Sequence, residues 1–238
     1  MNVRKNRSGF TLAADLTIEP GIITVLRGKS GAGKTTVADL IAGRIEPDTG
    51  VIALGERIFF DRERGISLPP EARGLGYVFQ THRLFPHLSV RENILFPVTF
   101  GGRKASATVD ELADLLGIGE LLERMPQTLS GGESQRAALA RALMGAETML
   151  LMDEPLASID VERRDVLLTY IERIRERFSM PILYITHSDE ETERLAGALY
   201  EIHSGAVRAL EPNRRKGTCG EGEEPQAHPN TNFRRKAV

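Results

Sequence analysis

The 238-residue sequence has a single cysteine, Cys219, and no tryptophan. One cysteine cannot form an internal disulfide, so we expect the chain to work in a reducing compartment. An excess of basic charge is also missing, because 31 lysines and arginines are balanced by 33 acidic residues and both signs are mixed along the chain. Such a balance creates no basic field of the kind that attracts nucleic acid, and we expect no nucleic-acid partner.

Long hydrophobic runs are absent as well. No apolar stretch approaches the roughly 18 residues that a membrane-spanning helix requires, and the first ten residues are too polar for a signal peptide. We therefore expect that any membrane is reached through a partner. Residues 211–238 are rich in proline, glycine, asparagine and charge, which predicts a disordered tail behind one domain over 1–210.

The most informative stretch is GKSGAGKT at residues 28–35, which matches G-x-x-x-x-G-K-[ST] in full. A glycine-rich turn with a chance lysine is the alternative, but an apolar strand over 22–26 precedes the motif and a helix over 36–42 follows it. In such loops backbone N–H groups surround phosphate oxygens, and the helix start adds its positive dipole. The predicted phosphate-binding residues are Gly28, Lys29, Ser30, Gly31, Ala32, Gly33, Lys34, Thr35 and Thr36.

Two residues of this motif have specific predicted roles. Lys34 would reach the β- and γ-phosphates of a bound nucleotide, and the Thr35 hydroxyl would bind Mg²⁺. The motif therefore predicts a nucleotide bound through its phosphates, together with Mg²⁺.

The flanking segments predict the rest of the sheet. Apolar and polar residues alternate over 10–18, as in a half-buried strand, and β-prone pieces at 51–54 and 57–60 indicate a small antiparallel extension. A compact strand over 76–80 ends in Gln80, which alone is more typical of a surface residue than of a site.

Helical segments follow. Residues 81–128 carry helix-favouring pieces at Val109–Leu116 and 120–124, with breaks that include Pro97, and they read as a helical insertion. A helix predicted over 161–178 has Val166 on its apolar face. The fold class is thus α/β, a P-loop NTPase with a mainly parallel core sheet, a small antiparallel β extension and an inserted α-helical subdomain.

Ser130-Gly131-Gly132-Glu133 fits a capping box, in which a serine and a glutamate three residues later satisfy the free N–H groups of a helix start. Capping explains the serine and the glutamate. It leaves the two glycines unexplained, since glycine weakens a first turn relative to alanine. Bare backbone N–H groups at a helix start bind anions.

Polar residues end two of the predicted core strands. Asp153 and Glu154 follow the apolar strand over 148–152, and His187 follows Ile182–Thr186. Ligands bind at the carboxyl ends of the strands in an open α/β sheet, so we expect these side chains to lie near the phosphate loop.

These motifs together resemble the ATPase subunit of an ATP-binding-cassette (ABC) transporter over about residues 10–210. A phosphate loop alone would also fit kinases, GTPases or helicases. The resemblance rests on the whole set: the loop at 28–35, Gln80, LSGGESQ at 129–135, the strand that ends in Asp153-Glu154, Ser158-Ile159-Asp160 and His187.

The resemblance implies a head-to-tail homodimer that encloses two ATP molecules. Ser130, Gly131 and Gly132 of one subunit would hold the γ-phosphate bound on the other subunit's phosphate loop. That arrangement would explain the bare helix start. Asp160 would communicate across the dimer, and Phe10 would either stack on adenine or serve as a core strand residue.

The resemblance also assigns catalytic and metal roles. Asp153 would complete the Mg²⁺ shell with Thr35 and Gln80, and Gln80 would link the metal site to a membrane partner. Glu154 would polarise the attacking water and His187 would hydrogen-bond the γ-phosphate. The implied reaction is in-line phosphoryl transfer to water, assisted by Lys34.

Within the family, the segment at 68–88 is similar to that of bacterial importer ATPases, and the segments at 153–158 and 183–188 are most similar to those of molybdate importers. The implied partners are integral membrane permease subunits and an extracytoplasmic solute-binding protein, with the chain on the cytoplasmic face of the membrane. Importer ATPases for sulfate, iron, polyamines or sugars share much of this sequence. Many molybdate ATPases carry a further carboxy-terminal oxyanion-binding domain, and we expect no regulation through one here.

Two alternatives to a transporter subunit remain open. A soluble ABC-type ATPase would typically have two cassettes or a long coiled-coil insertion, and a P-loop kinase would leave LSGGE and His187 without a role. Glu201 stands where an apolar strand residue is common in the family, and the sequence offers no reason for it.

Overall fold

The computed structural model describes residues 1–7, 9–81, 84–157 and 159–210. Ser158 and the predicted disordered tail at 211–238 lie outside the described residues. The described strands are β1 (Asn2–Arg7), β2 (Phe10–Asp15), β3 (Ile23–Arg27), β4 (Thr49–Leu54), β5 (Arg57–Asp61), β6 (Ile66–Ser67), β7 (Leu75–Val78), β8 (Met149–Asp153), β9 (Ile182–Thr186), β10 (Ala198–His203) and β11 (Ala206–Leu210). The described α-helices are α1 (Lys34–Ala42), α2 (Val90–Thr99), α3 (Val109–Leu116), α4 (Gly131–Met144), α5 (Val161–Arg177) and α6 (Asp189–Leu195).

The strands form one mixed sheet in the order β6-β5-β4-β1-β2-β11-β10-β3-β9-β8-β7. From β10 to β7 all neighbours are parallel, and from β6 to β2 all are antiparallel. The predicted parallel core with an antiparallel extension is therefore confirmed. In β8 and β9 every residue is buried, as expected for strands covered on both faces.

Helices cover both faces of the parallel part. Leu150 and Met152 of β8 belong to the apolar cluster that includes residues of α2 to α5, whereas Met149 and Leu151 belong to the cluster formed with α1 and the antiparallel strands. This alternation follows from the two-residue period of a strand. The predicted helical insertion is present, since α2 and α3 lie between β7 and β8 in the chain and pack on α4.

The amino-terminal strand was not predicted. β1 pairs with both β2 and β4, although Val3 is the one residue in it that is classed as buried. An amphipathic pattern needs several buried positions, so a strand joined to the sheet mainly through backbone hydrogen bonds leaves little signal in the sequence. The strand predicted over 10–18 is present but ends earlier, at Asp15.

Two predictions for the insertion were wrong. Residues 120–124 do not form a helix, because a 3-10 turn at Gly119–Leu121 is the regular element described there. Pro97 does not separate helical segments either, since it lies inside α2, near the carboxyl end of that helix. The capping box of Ser89 and Glu92, which begins α2, is the signal that would have located this helix.

Helices α3 and α5 follow their predictions closely. α3 has the predicted bounds, and α5 ends one residue before the predicted end. Val166 is an exception. It was predicted on the apolar face of α5, but it is 51% exposed.

The buried side chain of Arg73 joins α1, the helix after the phosphate loop, to the segment that follows β6. Its fully buried guanidinium donates from Nη1 to the carbonyls of Leu40 and Ile41, each at 2.8 Å, and from Nε to the Leu68 carbonyl at 2.8 Å. The first two carbonyls are at the carboxyl end of α1, where a positive charge is favourable. Gly43 is fitted to this contact, because a Cβ there would lie 2.5 Å from Arg73 Nε.

We expect Arg73→Met to lower the free energy of unfolding by about 3 kcal/mol, since each buried acceptor left without a donor costs about 1–3 kcal/mol. Chemical denaturation followed by circular dichroism measures the change. Arg62→Met, at an exposed arginine of the same region, is the matched control and should change stability little. Equal midpoints for the two variants would contradict the anchoring role.

Candidate active site

Strand register brings the predicted site residues to one edge of the sheet. Arg27 at the end of β3 pairs with Thr186 at the end of β9, and Asp153 at the end of β8 pairs with Ile185. The next residues in the chain, among them Glu154 and His187, therefore leave the sheet side by side. This is the edge that the sequence predicted.

The phosphate loop is tightly constrained between β3 and α1. Gly31 and Gly33 have φ angles of 80° and 109°, in the left-handed region that favours glycine. Gly28 is packed against β10, because a Cβ there would lie 2.6 Å from the carbonyl oxygen of Ile202. The glycine spacing of the motif is thus a requirement of the backbone path.

Lys34 directs its ammonium into the loop. The side chain is only 5% exposed, and Nζ donates to the carbonyl oxygens of Gly28 and Lys29 at 2.8 and 3.2 Å. Nζ also lies 3.0 Å from Oε1 of Glu154. A buried ammonium needs such partners. Here they hold the positive charge of Lys34 beside the backbone of the phosphate loop.

Glu154 lies between Lys34 and His187. Its second carboxylate oxygen, Oε2, is 3.2 Å from Nδ1 of His187, and its backbone N–H donates to the Ile185 carbonyl at 2.9 Å. Glu154 adopts a φ of 46°, which non-glycine residues seldom do. The turn after β8 thus aims the carboxylate at the loop and at the histidine.

Asp153 is a buried carboxylate that fits a metal ligand. Burial raises the pKa of its carboxyl group, and a hydrogen bond with the Thr35 side chain opposes that shift. Its Oδ1 atom is buried and has no hydrogen-bond partner within the described residues. This carboxylate oxygen accepts no hydrogen bond and lies next to a threonine hydroxyl. Oxygen ligands of these two kinds are the ones that a hard cation such as Mg²⁺ prefers.

Two cavities border the phosphate loop and share Ser30. The first, of about 340 Å³, is lined by Phe10, Ser30, Gly31, Gly33, Lys34, Thr35, Thr36, Gln80 and Glu154. The second, of about 530 Å³, is lined by Arg27, Gly28, Lys29, Ser30, His187, Asp189 and Glu201. Phe10 is half-buried, packs on the core and also lines the first cavity. Its stacking on adenine stays a prediction.

The structure leaves some predicted residues outside these cavities. Ser130–Gly132, Asp160, Ala32 and the largely buried Asp153 line neither cavity. The capping box is formed, with Glu133 N–H donating to Ser130 Oγ at 3.4 Å and Ser130 N–H donating to Glu133 Oε2 at 2.7 Å. Ser130, Gly131 and Asp160 are nevertheless exposed to solvent.

Three polar residues beside the loop were missed as site residues. Arg27 Nη2 lies 3.1 Å from Glu201 Oε1, and Arg27 Nη1 lies 3.3 Å from Asp189 Oδ1. This pairing supplies the reason for Glu201 that the sequence lacked. The arginine directly before Gly28 was the available signal, but its partners are more than 160 positions away in the chain.

A family model described as "ABC transporter" matches residues 12–157 of the chain. The chain belongs to the ABC transporter family. The predicted resemblance is thereby confirmed, and the cavities at the phosphate loop are those of an ABC-family domain.

Similar proteins refine the resemblance. This ABC-family chain is 47% identical over 213 residues to the molybdenum import ATP-binding protein of Paramagnetospirillum magneticum, covering 89% of the chain and 58% of that protein. It is 49% identical over 191 residues to the protein of the same description from Rhodospirillum rubrum, covering 80% of the chain and 52% of that protein. The chain thus spans between half and three-fifths of the length of these relatives.

Solved structures agree on the fold. A bacterial ABC transporter cassette solved as a dimer superposes with a TM-score of 0.70 at 23% identity, covering 88% of this chain and 96% of the cassette. A post-hydrolysis state of that cassette, bound to ADP and phosphate, gives the same TM-score. The predicted P-loop α/β fold is therefore confirmed.

Proposed function

We propose that the chain binds ATP with Mg²⁺ and hydrolyses it as the ATPase subunit of an ABC importer for molybdate or a related oxyanion. The observation that carries the proposal is the position of Glu154, held between Lys34 and His187 at the mouth of the phosphate loop. The names of the similar molybdenum import proteins support the choice of solute.

Each side chain has a definite task in this reaction. Lys34 and the loop N–H groups bind the β- and γ-phosphates, which fixes the γ-phosphorus near Glu154. Glu154 takes a proton from water as the water oxygen bonds to the γ-phosphorus and the bond to the ADP oxygen breaks. When protonated, His187 can donate from Nδ1 to Glu154 and from Nε2 to a γ-phosphate oxygen.

The metal site would be held by this chain's own oxygens. Asp153 and the Thr35 hydroxyl are adjacent and supply two of them, while Gln80 lines the same cavity as Thr35. Held by these oxygens, Mg²⁺ would supply positive charge that offsets the charge of the nucleotide phosphates.

A head-to-tail homodimer is part of the proposal. Ser130 and Gly131 expose a capped helix start that lines neither cavity of their own chain. A second copy would bring this helix start, with its N–H groups and positive dipole, to the γ-phosphate on the first copy's loop. Asp160 is exposed as well and would lie at the same interface.

The membrane partners are proposed because the similar proteins are named as import proteins. No helix within the described residues is long and apolar enough to cross a bilayer. In the proposed importer, permease subunits attach the chain to the cytoplasmic face of the membrane, with a solute-binding protein on the other side. A soluble ABC-type ATPase that is not coupled to transport is the alternative.

Isolation with its permease tests the proposal. We expect the complex in lipid vesicles, with the binding protein present, to hydrolyse ATP faster when molybdate is added than when sulfate is added. Hydrolysis without co-purification of any permease would favour the soluble alternative, and absence of hydrolysis would contradict the proposed activity.

We expect Lys34→Ala to weaken ATP binding by about 10- to 100-fold, because a charge-assisted hydrogen bond contributes about 1.5–3 kcal/mol. Isothermal titration calorimetry with ATP measures the change. Lys104→Ala removes an exposed lysine away from both cavities and should bind ATP like the unaltered chain. Unchanged affinity in Lys34→Ala would remove this lysine from the phosphate site.

A further inference from the structure

Glu191 is a buried carboxylate that the proposed reaction leaves without a task. It lies in α6, four residues after His187, and is 4% exposed. Its Oε2 accepts hydrogen bonds from the Tyr184 hydroxyl at 3.0 Å and from the Thr186 hydroxyl at 2.6 Å. Burial of a charged group is costly unless its partners are well placed, so these contacts need an explanation.

The partners of Glu191 are set by β9. Tyr184 and Thr186 are two residues apart on one strand and therefore point to the same side of the sheet, where α6 presents the carboxylate. Burial, and then the nearby Glu191, raise the pKa of Tyr184 well above its usual value. Its hydroxyl consequently remains a hydrogen-bond donor.

Thr186 connects this carboxylate to both sides of His187. Its hydroxyl donates to Glu191 and accepts from the Ser188 N–H at 3.0 Å. Ser188 in turn accepts the Glu191 N–H through Oγ at 3.3 Å. A closed hydrogen-bonded ring therefore surrounds the turn from β9 to α6. Its members are Thr186, Ser188 and Glu191.

The other carboxylate oxygen faces the Asp160 segment. Oε1 of Glu191 lies 3.9 Å from Nε of Arg164, and this Nε has no hydrogen-bond partner among the described residues. Arg164 Nη2 donates to the carbonyl of Ile159, the residue before Asp160. Glu191 therefore lies where the His187 turn meets the segment proposed for the dimer interface.

We propose that Glu191 is a positioning residue that, through Thr186 and Ser188, holds the His187 imidazole against Glu154 at the phosphate loop. This inference rests on the proposed ATPase activity. It deepens that activity by assigning the alignment of His187 to a hydrogen-bonded network whose other members line neither cavity beside the phosphate loop. Hydrogen bonds in such a closed network reinforce one another and fix a single arrangement.

A purely structural role is the competing explanation, and Thr24 offers a matched control. Thr24 is also fully buried, on β3 next to β9, but its hydroxyl has no hydrogen-bond partner among the described residues. Thr186→Val and Thr24→Val make the same chemical change in adjacent strands. They differ in whether the lost hydroxyl belonged to the ring around His187.

Steady-state ATP hydrolysis is the first measurement. We expect Thr186→Val to lower kcat by about 10- to 100-fold, the effect of misplacing a reacting group by about 1 Å, with KM for ATP little changed. Thr24→Val should keep the kcat of the unaltered chain, and Thr186→Ser should restore most of it because it restores the hydroxyl. A kcat that is unchanged in Thr186→Val would overturn the inference.

A second measurement does not depend on hydrolysis. The chain has five histidines, so the ring cross-peak of His187 can be assigned in a ¹H–¹³C spectrum by its loss in His187→Gln. We expect this peak to move in Thr186→Val and to stay in place in Thr24→Val. Should Thr186→Val fail to fold, Glu191→Gln keeps the volume, weakens the ring and is expected to move the same peak.

The two proposals can fail separately. An unaltered chain that hydrolyses no ATP contradicts the proposed function, while a shift of the His187 peak in Thr186→Val still supports the positioning role. An active chain whose His187 peak and kcat are both insensitive to Thr186→Val contradicts the positioning role and leaves the ATPase proposal intact.

Discussion

Replacing Glu154 with glutamine is expected to lower ATP turnover by about 10²- to 10⁴-fold, the range for loss of a general base. The amide keeps the volume of the side chain but cannot accept a proton from water. Because Lys34 and the loop glycines are untouched, ATP should still bind. The dimer that forms with ATP should then persist, since hydrolysis is what would reopen it.

Phosphate release measures the turnover, and size-exclusion chromatography with ATP measures the trapped dimer. Glu176→Gln, at an exposed glutamate of α5, controls for the loss of one negative charge and should leave both unchanged. A Glu154→Gln chain with undiminished turnover would remove this residue from the role of base. A monomer at saturating ATP would contradict the trapped dimer.

Mixing two inactive variants is expected to restore hydrolysis. Ser130→Arg places a bulky cation at the exposed helix start, and Lys34→Ala removes the ammonium of the phosphate loop, so each variant alone should be nearly inert. In a head-to-tail mixed dimer one site combines an intact loop from one subunit with an intact Ser130 from the other. That composite site should hydrolyse ATP.

The control mixture combines Lys34→Ala with Glu154→Gln. Lys34 Nζ and Glu154 Oε1 are 3.0 Å apart within one chain, so each change damages the same half of the composite site and no intact site can form by exchange. Recovery should therefore occur in the first mixture and be absent in the second. If subunits carrying two different tags are shown to pair and the first mixture stays inactive, the head-to-tail arrangement is contradicted.

Ser130→Arg also needs a folding control. Ser130 caps α4, and loss of such a cap costs about 1 kcal/mol. Ser89→Arg removes the equivalent cap of α2 and is the matched variant for this cost. Equal thermal stability of the two, with loss of activity only in Ser130→Arg, would assign the effect to the helix start and not to unfolding.

Errors in the sequence-based prediction had physical causes. The strand β1 was missed because it carries one residue classed as buried, and α2 was missed because Pro97 was treated as a break. Proline removes one hydrogen bond from a helix, and the packing of α2 on α4 outweighs that loss. Val166 shows the limit of a helical pattern, since an apolar residue at the margin of the stripe can remain exposed.

Sequence alone determined the phosphate loop, the strands before it and before Asp153 and His187, and the capped start of α4. These features depend on local rules: glycines where φ is positive, apolar runs in strands covered on both faces, and a serine with a glutamate three residues later. A short stretch of chain carries all the information that each of them needs.

Only the tertiary structure decided which side chains meet. Glu154 is placed between Lys34 and His187, Arg27 pairs with Glu201, and buried Glu191 accepts from Thr186. Each of these contacts joins segments from different strands and helices. Such contacts are set by the register of parallel strands that are far apart in the chain, and residue spacing within one segment cannot encode them. The exposed start of α4 was likewise decided by the fold, because burial depends on what packs against a helix and not on its cap.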